Sequence, residues 1–120
     1  MTYQEFNTFC ETLKASTYIR QWGDSHVWKV GGKVYAIGGW EKIEAPAISF
    51  KTQEADFFFM EQEDGFRGAP YMATRGMKWI QVYDMGGIEN GEIEKYISDS
   101  YQIVSQGLTR KIRRELGLSD

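Results

Sequence analysis

The stretch GEIEKYISDSYQIVSQGLTRKIRREL, residues 91–116, decides the fold. It holds the longest sustained helical period in the chain, because apolar and small side chains recur there at the three- and four-residue spacing of one helix face. That face is formed by Ile93, Tyr96, Ile97, Ser100, Tyr101, Val104 and Leu108. After Leu108, Thr109 is a suitable N-cap for a short terminal helix. We therefore predict a long amphipathic helix followed by a short one.

A helix with one apolar face needs an apolar surface to lie on, and the alternating runs between Val27 and Tyr83 supply it. Residues 27–30 and 33–37 read as two strands, and Gly31-Gly32 between them supplies the positive φ angles of a tight hairpin turn. A third strand is predicted over residues 47–51. The economical arrangement is one antiparallel sheet with the long helix covering one face.

The first predicted helix begins after Thr2, which forms a capping box with Glu5, and ends near Ala15. Helical periodicity is then lost over residues 17–25, and we interpret Gln21-Trp22-Gly23-Asp24 as a turn or loop with a buried Trp22.

Thr52 is the predicted N-cap of a further helix that reaches about Asp64 and buries at least half its circumference around Phe57-Phe58-Phe59-Met60. A second hairpin is predicted from residues 71–74 and 77–84, with its turn at Arg75-Gly76.

Together these elements predict a single α+β domain over residues 1–120, with a twisted antiparallel sheet covered by helices. The predicted order is α-β-β-β-α-β-β-α, followed by the short terminal helix. A hydrophobic content of 42% and an aromatic content of 15% are ample for one packed core.

Composition limits the possible functions. The net charge of −3 disfavours a general polyanion binder, so any nucleic-acid contact requires a local patch. Because Cys10 is the only cysteine, a disulfide within the chain and a cysteine-built zinc site are excluded. No apolar run approaches the roughly 18 residues that span a bilayer, and the first five residues lack signal-peptide order. We expect a cytoplasmic protein without a membrane partner.

Catalytic patterns are missing from the sequence. His26 is the only histidine, and none of the glycine pairs has a phosphate-cradling motif. We interpret His26 as a surface or strand-edge residue, and we predict no catalytic residue, no cofactor and no enzymatic activity.

Acidic residues crowd the helix predicted after Thr52. These acids are Glu54, Asp56, Glu61, Glu63 and Asp64. Such a run is usually a solvated helix face. The less favoured alternative is weak cation binding along an acidic ridge, and we predict no metal site.

Basic residues favour a nucleic-acid interface. Lys29 and Lys33 bracket the first predicted hairpin turn, and Arg75 and Lys78 bracket the second. Four more cations follow Thr109, namely Arg110, Lys111, Arg113 and Arg114. Two structural roles for these cations stay open, because cations near a helix C-terminus complement its dipole and lysines protect sheet edges. The competing function is a protein-interaction module that uses the sheet face.

Three segments together resemble the MmcQ/YjbR family of small bacterial proteins. They are Trp22-Gly23 with residues 27–36, Ala69-Pro70-Tyr71-Met72 with Lys78-Trp79-Ile80, and Ser100–Val104 with Leu108–Arg113. The resemblance implies an α+β domain similar to frataxin-like and secretion-chaperone-like sandwiches. It also implies DNA binding, since family members are commonly described as DNA-binding proteins in which two hairpins form a "double wing".

One segment departs from the family pattern. Many relatives carry a basic, histidine-containing segment after the Pro-Tyr pair, whereas residues 72–79 here retain only Arg75 and Lys78 as cations. This departure weakens a phosphate-contacting role for the second hairpin.

Overall fold

The computed structural model describes residues 1–39 and 46–118. The helices in these ranges are α1 (Tyr3–Glu11), α2 (Glu54–Met60), α3 (Asn90–Gln106) and α4 (Arg110–Glu115). The strands are β1 (Ser16–Gln21), β2 (Ser25–Val30), β3 (Lys33–Gly38), β4 (Ile48–Lys51), β5 (Phe66–Gly68) and β6 (Trp79–Val82). A single 3₁₀ turn, Ala73–Arg75, lies between β5 and β6.

The described strands form one six-stranded sheet with the order β1-β2-β3-β4-β6-β5, and every neighbouring pair is antiparallel. Helices α1 and α3 cover one face of this sheet and enclose the main core with it. The predicted α+β class with a single antiparallel sheet is therefore confirmed.

Helix α3 lies on the sheet through the face that its periodicity predicted. Ile93, Ile97 and Ser100 are fully buried, and Tyr101, Val104 and Leu108 are at most 8% exposed. At the centre of this contact the Ser100 hydroxyl donates to the carbonyl of Tyr35 at 2.6 Å and accepts from the backbone N–H of Lys51 at 2.9 Å.

One of these two backbone groups belongs to a β-bulge in the β2–β3 ladder, and both lie just beyond the β3–β4 ladder. Trp28 pairs with Ala36 and Lys29 pairs with Val34, so Tyr35 is an extra residue in β3. The β3–β4 ladder begins at Ala36, and the backbone groups just before it bond to the helix instead. A buried backbone group without a partner is costly, so this exchange fixes where α3 crosses the sheet.

The other face of the sheet carries a second, smaller cluster. Val27 and Ile37 are fully buried there, and Trp79 is 3% exposed. Ala69 and Met72, from the loop that joins β5 to β6, pack on this cluster. The centre of this face is therefore not an open apolar surface.

The local signals at Thr2, Gly31-Gly32 and Thr109 are confirmed. Thr2 and Glu5 form the capping box, and Thr109 accepts from the N–H of Ile112 at 3.2 Å. Gly31 and Gly32 have φ angles of 59° and 79° in the turn between β2 and β3.

The sequence did not predict strand β1, which residues 16–21 form, whereas the turn predicted at residues 21–24 is confirmed over residues 22–24. Residues 17–20 of this strand are exposed, so its side chains lack the alternation that reveals a half-buried strand. Trp22 was predicted to be buried, but its side chain is 47% exposed. It lies in the turn between β1 and β2, where its φ angle is 51°.

The second hairpin was also placed wrongly. The antiparallel partner of β6 is β5, which the sequence indicated as loop, and the segment predicted as a strand contains the 3₁₀ turn instead. Three residues of strand are too few to show a periodic pattern. The predicted turn at Arg75-Gly76 is therefore the end of a 3₁₀ turn inside a longer loop.

Helix α2 is shorter than predicted, and it buries one phenylalanine rather than half its circumference. It ends at Met60, and Phe57 is its buried residue. Its N-cap is Gln53, because the hydroxyl and the N–H of Thr52 both donate to the carbonyl of Lys78.

We expect Ser100→Ala to lower the free energy of unfolding by about 1–3 kcal/mol, because the buried Tyr35 carbonyl and Lys51 N–H would lose their hydrogen-bond partner. Ser98→Ala, on the half-exposed side of the same helix, should change it by less than about 0.5 kcal/mol. Urea denaturation measures both values. Equal effects of the two substitutions would show that the hydroxyl does not hold α3 to the sheet.

Candidate nucleic-acid interface

The strand register defines one end of the sheet, where β2, β4 and β5 end and β1, β3 and β6 begin. We call this the basic end. Ten Lys and Arg side chains of the described residues lie in or directly beside the chain reversals that meet there, or in α4, namely Lys14, Lys29, Lys33, Lys51, Arg75, Lys78, Arg110, Lys111, Arg113 and Arg114. The described cations outside this group are Arg20, Arg67 and Lys95. All eight predicted interface residues thus share one end of the molecule.

The first hairpin turn docks against the junction of α3 and α4. A Cβ added at Gly31 would lie 2.6 Å from the Cδ1 of Leu108, so any side chain at this position would force Leu108 to move. Leu108 immediately precedes Thr109, the N-cap of α4. The close approach therefore places the hairpin turn, which Lys29 and Lys33 flank, against the point where α4 begins.

The four cations of α4 are not equivalent. Arg110, Lys111 and Arg114 are exposed, whereas Arg113 is half-buried. The Nε of Arg113 is buried without a hydrogen-bond partner in the described part of the chain. Arg113 therefore lies against the body of the protein, while the other three side chains project into solvent.

Lys78 and Arg75 lie on the opposite side of the same end. Strands β5 and β6 are joined by a loop rather than a tight hairpin turn. Arg75 therefore lies in a 3₁₀ turn within this loop and not at the tip of a β-hairpin. The Nζ of Lys78 lies 5.2 Å from the ring of Phe57 and 5.0 Å from that of Phe58. Lys14 and Lys51 were missed as interface candidates, because only the strand register brings them to this end.

Acidic side chains collect at the other end of the sheet. Asp24 lies in the β1–β2 turn, Asp64 precedes β5 and Asp84 follows β6. Glu5 also belongs to this end, where it accepts from the amide of Asn90 at 2.9 Å. The backbone N–H of Thr2 lowers the pKa of this carboxyl. The basic end is not free of acids, since Glu54 and Asp56 follow Lys51 in the first turn of α2 and Glu115 ends α4.

The predicted acidic helix face is not a continuous ridge. Glu61, Glu63 and Asp64 follow the end of α2, and only Glu54 and Asp56 lie within the helix. Within the described residues, no three His, Cys, Asp or Glu side chains come together in a way that could hold a metal ion.

His26 lies inside the sheet rather than at an edge, because the unpredicted strand β1 pairs with β2. Its Nδ1 is 2.8 Å from the hydroxyl oxygen of Tyr18 and 3.2 Å from the Nδ2 of Asn7. The same Asn7 accepts from the indole N–H of Trp28 at 2.9 Å. Burial lowers the pKa of His26, so the imidazole is neutral at pH 7 and joins α1 to the sheet.

Cys10 belongs to α1 and is fully buried in the main core. Burial raises the pKa of its thiol to about 12. The nucleophilic thiolate is therefore disfavoured at neutral pH.

None of the described helices has the length and apolar character needed to span a bilayer.

A family model described as YjbR matches residues 11–103 of the chain, a range that ends before α4. The comparison with curated proteins gave no match.

Among solved structures, the chain is similar to the Deinococcus radiodurans protein DR2400, described as a DUF419 domain. The TM-score is 0.82 at 23% identity, over 99% of this chain and 90% of that one. It is also similar to a Pseudomonas syringae protein, with a TM-score of 0.70 at 24% identity over 87% of this chain and 99% of that one. These two likenesses show that the fold is shared.

The docking of the hairpin on Leu108 can be tested with two neighbouring glycines. Gly32→Ala adds only the strain of a positive φ, about 1–2 kcal/mol, because nothing lies within 4 Å of its new Cβ. Gly31→Ala adds the same strain and a clash with Leu108, so we expect a further loss of about 1–3 kcal/mol in the free energy of unfolding. Chemical denaturation compares the two variants. Equal losses would mean that the hairpin turn and the α3–α4 junction are not in contact.

Proposed function

The chain belongs to the YjbR family, and on that premise we propose that it is a non-enzymatic, cytoplasmic protein that binds DNA at its basic end. The observation that carries this proposal is the gathering of ten cations at one end of a protein whose net charge is −3. Neutralising phosphates with Lys and Arg supplies most of the affinity of sequence-independent binding. An overall negative chain can use this interaction only if its cations are grouped.

The width of the basic end suits a duplex backbone. Six strands at about 4.8 Å spacing give a sheet about 24 Å wide. Duplex DNA advances about 3.4 Å per base pair, so this width covers about seven base pairs. The cations of α4 lie towards β2, and Lys78 lies at the start of β6, so charge is available on both sides of this end.

The predicted contacts are with phosphates rather than base edges. The exposed cations are carried by turns, strand ends and the six-residue helix α4. Phosphate contacts of this kind position a protein on a duplex and carry no sequence information themselves. We therefore expect binding that depends weakly on sequence and strongly on salt.

The protein-interaction alternative receives less support at the sheet face itself. Val27, Ile37 and Trp79, which would form the centre of such an interface, are buried. The exposed Phe58 and Phe59 of α2 lie outside this face.

Replacing Arg110 and Arg114 with glutamine should weaken binding to every duplex tested and flatten its salt dependence. The slope of log K against log salt should fall by about 0.9 for each side chain that contacts a phosphate. Fluorescence anisotropy with a short labelled duplex, between about 50 and about 200 mM salt, measures this slope.

The control for this experiment is Gln4→Glu with Gln62→Glu, which changes the net charge by the same amount at two exposed positions away from the basic end. We expect the control to bind within about twofold of the wild type at physiological salt, where charges more than about 8 Å away are screened. If both double variants lose affinity equally, the basic end is not the site. Absence of binding by the wild type at about 100 μM in low salt would refute DNA binding altogether, since ordinary non-specific binders are stronger than this.

A further inference from the structure

Helix α2 displays two phenylalanines to solvent beside the basic end. Phe59 is 77% exposed and Phe58 is 49% exposed. Exposed aromatic side chains at adjacent positions are uncommon on a protein with an ample core, and larger exposed apolar patches mark interaction sites.

The position of α2 explains why these two rings cannot turn inward. Phe57 is 6% exposed and contacts the β5 side of the sheet, where a Cβ added at Gly68 would lie 3.5 Å from its Cζ. Successive helical residues are separated by about 100°, so burying Phe57 directs the next two residues outward. The helix ends at Met60, and no later turn covers them.

Positive charge lies directly beside these rings. The Nζ of Lys78 is 5.0 Å from the centre of the Phe58 ring, and exposed Lys51 lines the same groove as Phe59. Lys78 and Lys51 both belong to the basic end. A ligand that places a flat ring on Phe58 or Phe59 would thus hold an attached phosphate near an ammonium group.

The groove next to Phe59 has a floor and walls suited to a nucleobase. The groove lies between α2 and α3 and has a volume of about 520 Å³. Its lining includes Phe50 and Tyr96, whose rings stack with an angle of 12° between their planes. Its polar lining includes the amides of Gln53, Gln102 and Gln106 and the carboxylates of Asp56 and Asp99. Asp99 is paired with Lys95 at 3.6 Å. Amide side chains both donate and accept hydrogen bonds, as the edges of bases require.

We propose that the preferred ligand of the basic end is single-stranded nucleic acid, whose bases stack on Phe58 and Phe59 while its phosphates contact Lys51 and Lys78. This inference rests on the proposed function and specifies its substrate. Bases of a duplex are already stacked inside it, whereas an unpaired base can lie on an aromatic ring. A protein partner fits less well, because lysine is depleted at the centre of protein interfaces.

The experiment compares a labelled oligothymidylate with a mixed-sequence duplex of the same length by fluorescence anisotropy at low salt. We expect the wild type to bind the single strand more tightly. Phe59→Ala should weaken single-strand binding by about 5- to 150-fold, as loss of one stacked base does, and should leave duplex binding within about twofold. Phe59→Leu keeps the apolar character without the aromatic face, and it should weaken single-strand binding as well.

Tyr83→Ala is the matched control, since Tyr83 is an exposed aromatic that follows β6 at the opposite end of the sheet. It should leave both affinities unchanged. All three substitutions are at exposed side chains, and thermal denaturation confirms that the variants are folded.

The outcomes separate this inference from the proposed function. Equal binding of single strand and duplex, with no effect of Phe59→Ala, would overturn the inference and leave DNA binding intact. A lack of binding to either probe would overturn the proposed function, and this inference with it. If Phe59→Ala abolishes self-association in sedimentation but not single-strand binding, the two phenylalanines form a protein interface and the inference fails.

Discussion

One buried hydroxyl, that of Ser100, holds the long helix in register with the sheet. It bonds the carbonyl of Tyr35 and the N–H of Lys51, which lie just beyond the last residue pair of the β3–β4 ladder, Ala36 and Phe50. Because backbone groups buried beside this ladder need partners, α3 has one favourable position along the sheet. That position places the C-terminal end of α3 at the first hairpin turn, where Leu108 packs on Gly31. The location of α4 and of its cations depends on this arrangement.

Antiparallel pairing also groups the cations of the chain. Cations scattered over a hundred residues lie at chain reversals that the topology brings to one end, where Glu54, Asp56 and Glu115 are also found. Hydrophobic burial fixes the sheet, so this grouping costs the fold little beyond repulsion among exposed cations, which salt screens. A net charge of −3 is therefore compatible with a strongly basic local surface.

Helix α2 packs one aromatic side chain against the sheet and exposes the next two to solvent. Phe57 anchors it to the sheet, and the following two phenylalanines are left outside because a seven-residue helix has one buried stripe. Because these two rings are exposed, the fold lacks the stabilisation of about 1.5–3 kcal/mol that full burial of each ring would give. Lys78 offsets part of this loss at Phe58, because its Nζ lies 5.0 Å from the centre of that ring.

The sequence by itself determined the elements whose signals are local or long. The α3 periodicity, the Thr2 and Thr109 caps and the Gly31-Gly32 turn each depend on neighbouring residues, and together with the family resemblance they predicted an α+β domain with one antiparallel sheet. Tertiary structure decided the rest. The exposed edge strand β1 and the three-residue β5 have no periodic signal, because pairing with β2 and β6 rather than side-chain alternation creates them. The eight predicted cations could be named from the sequence, but their meeting at one end with Lys14 and Lys51, and the outward display of Phe58 and Phe59, follow from strand order and helix docking. Those depend on contacts between residues far apart in the chain, which local patterns do not encode.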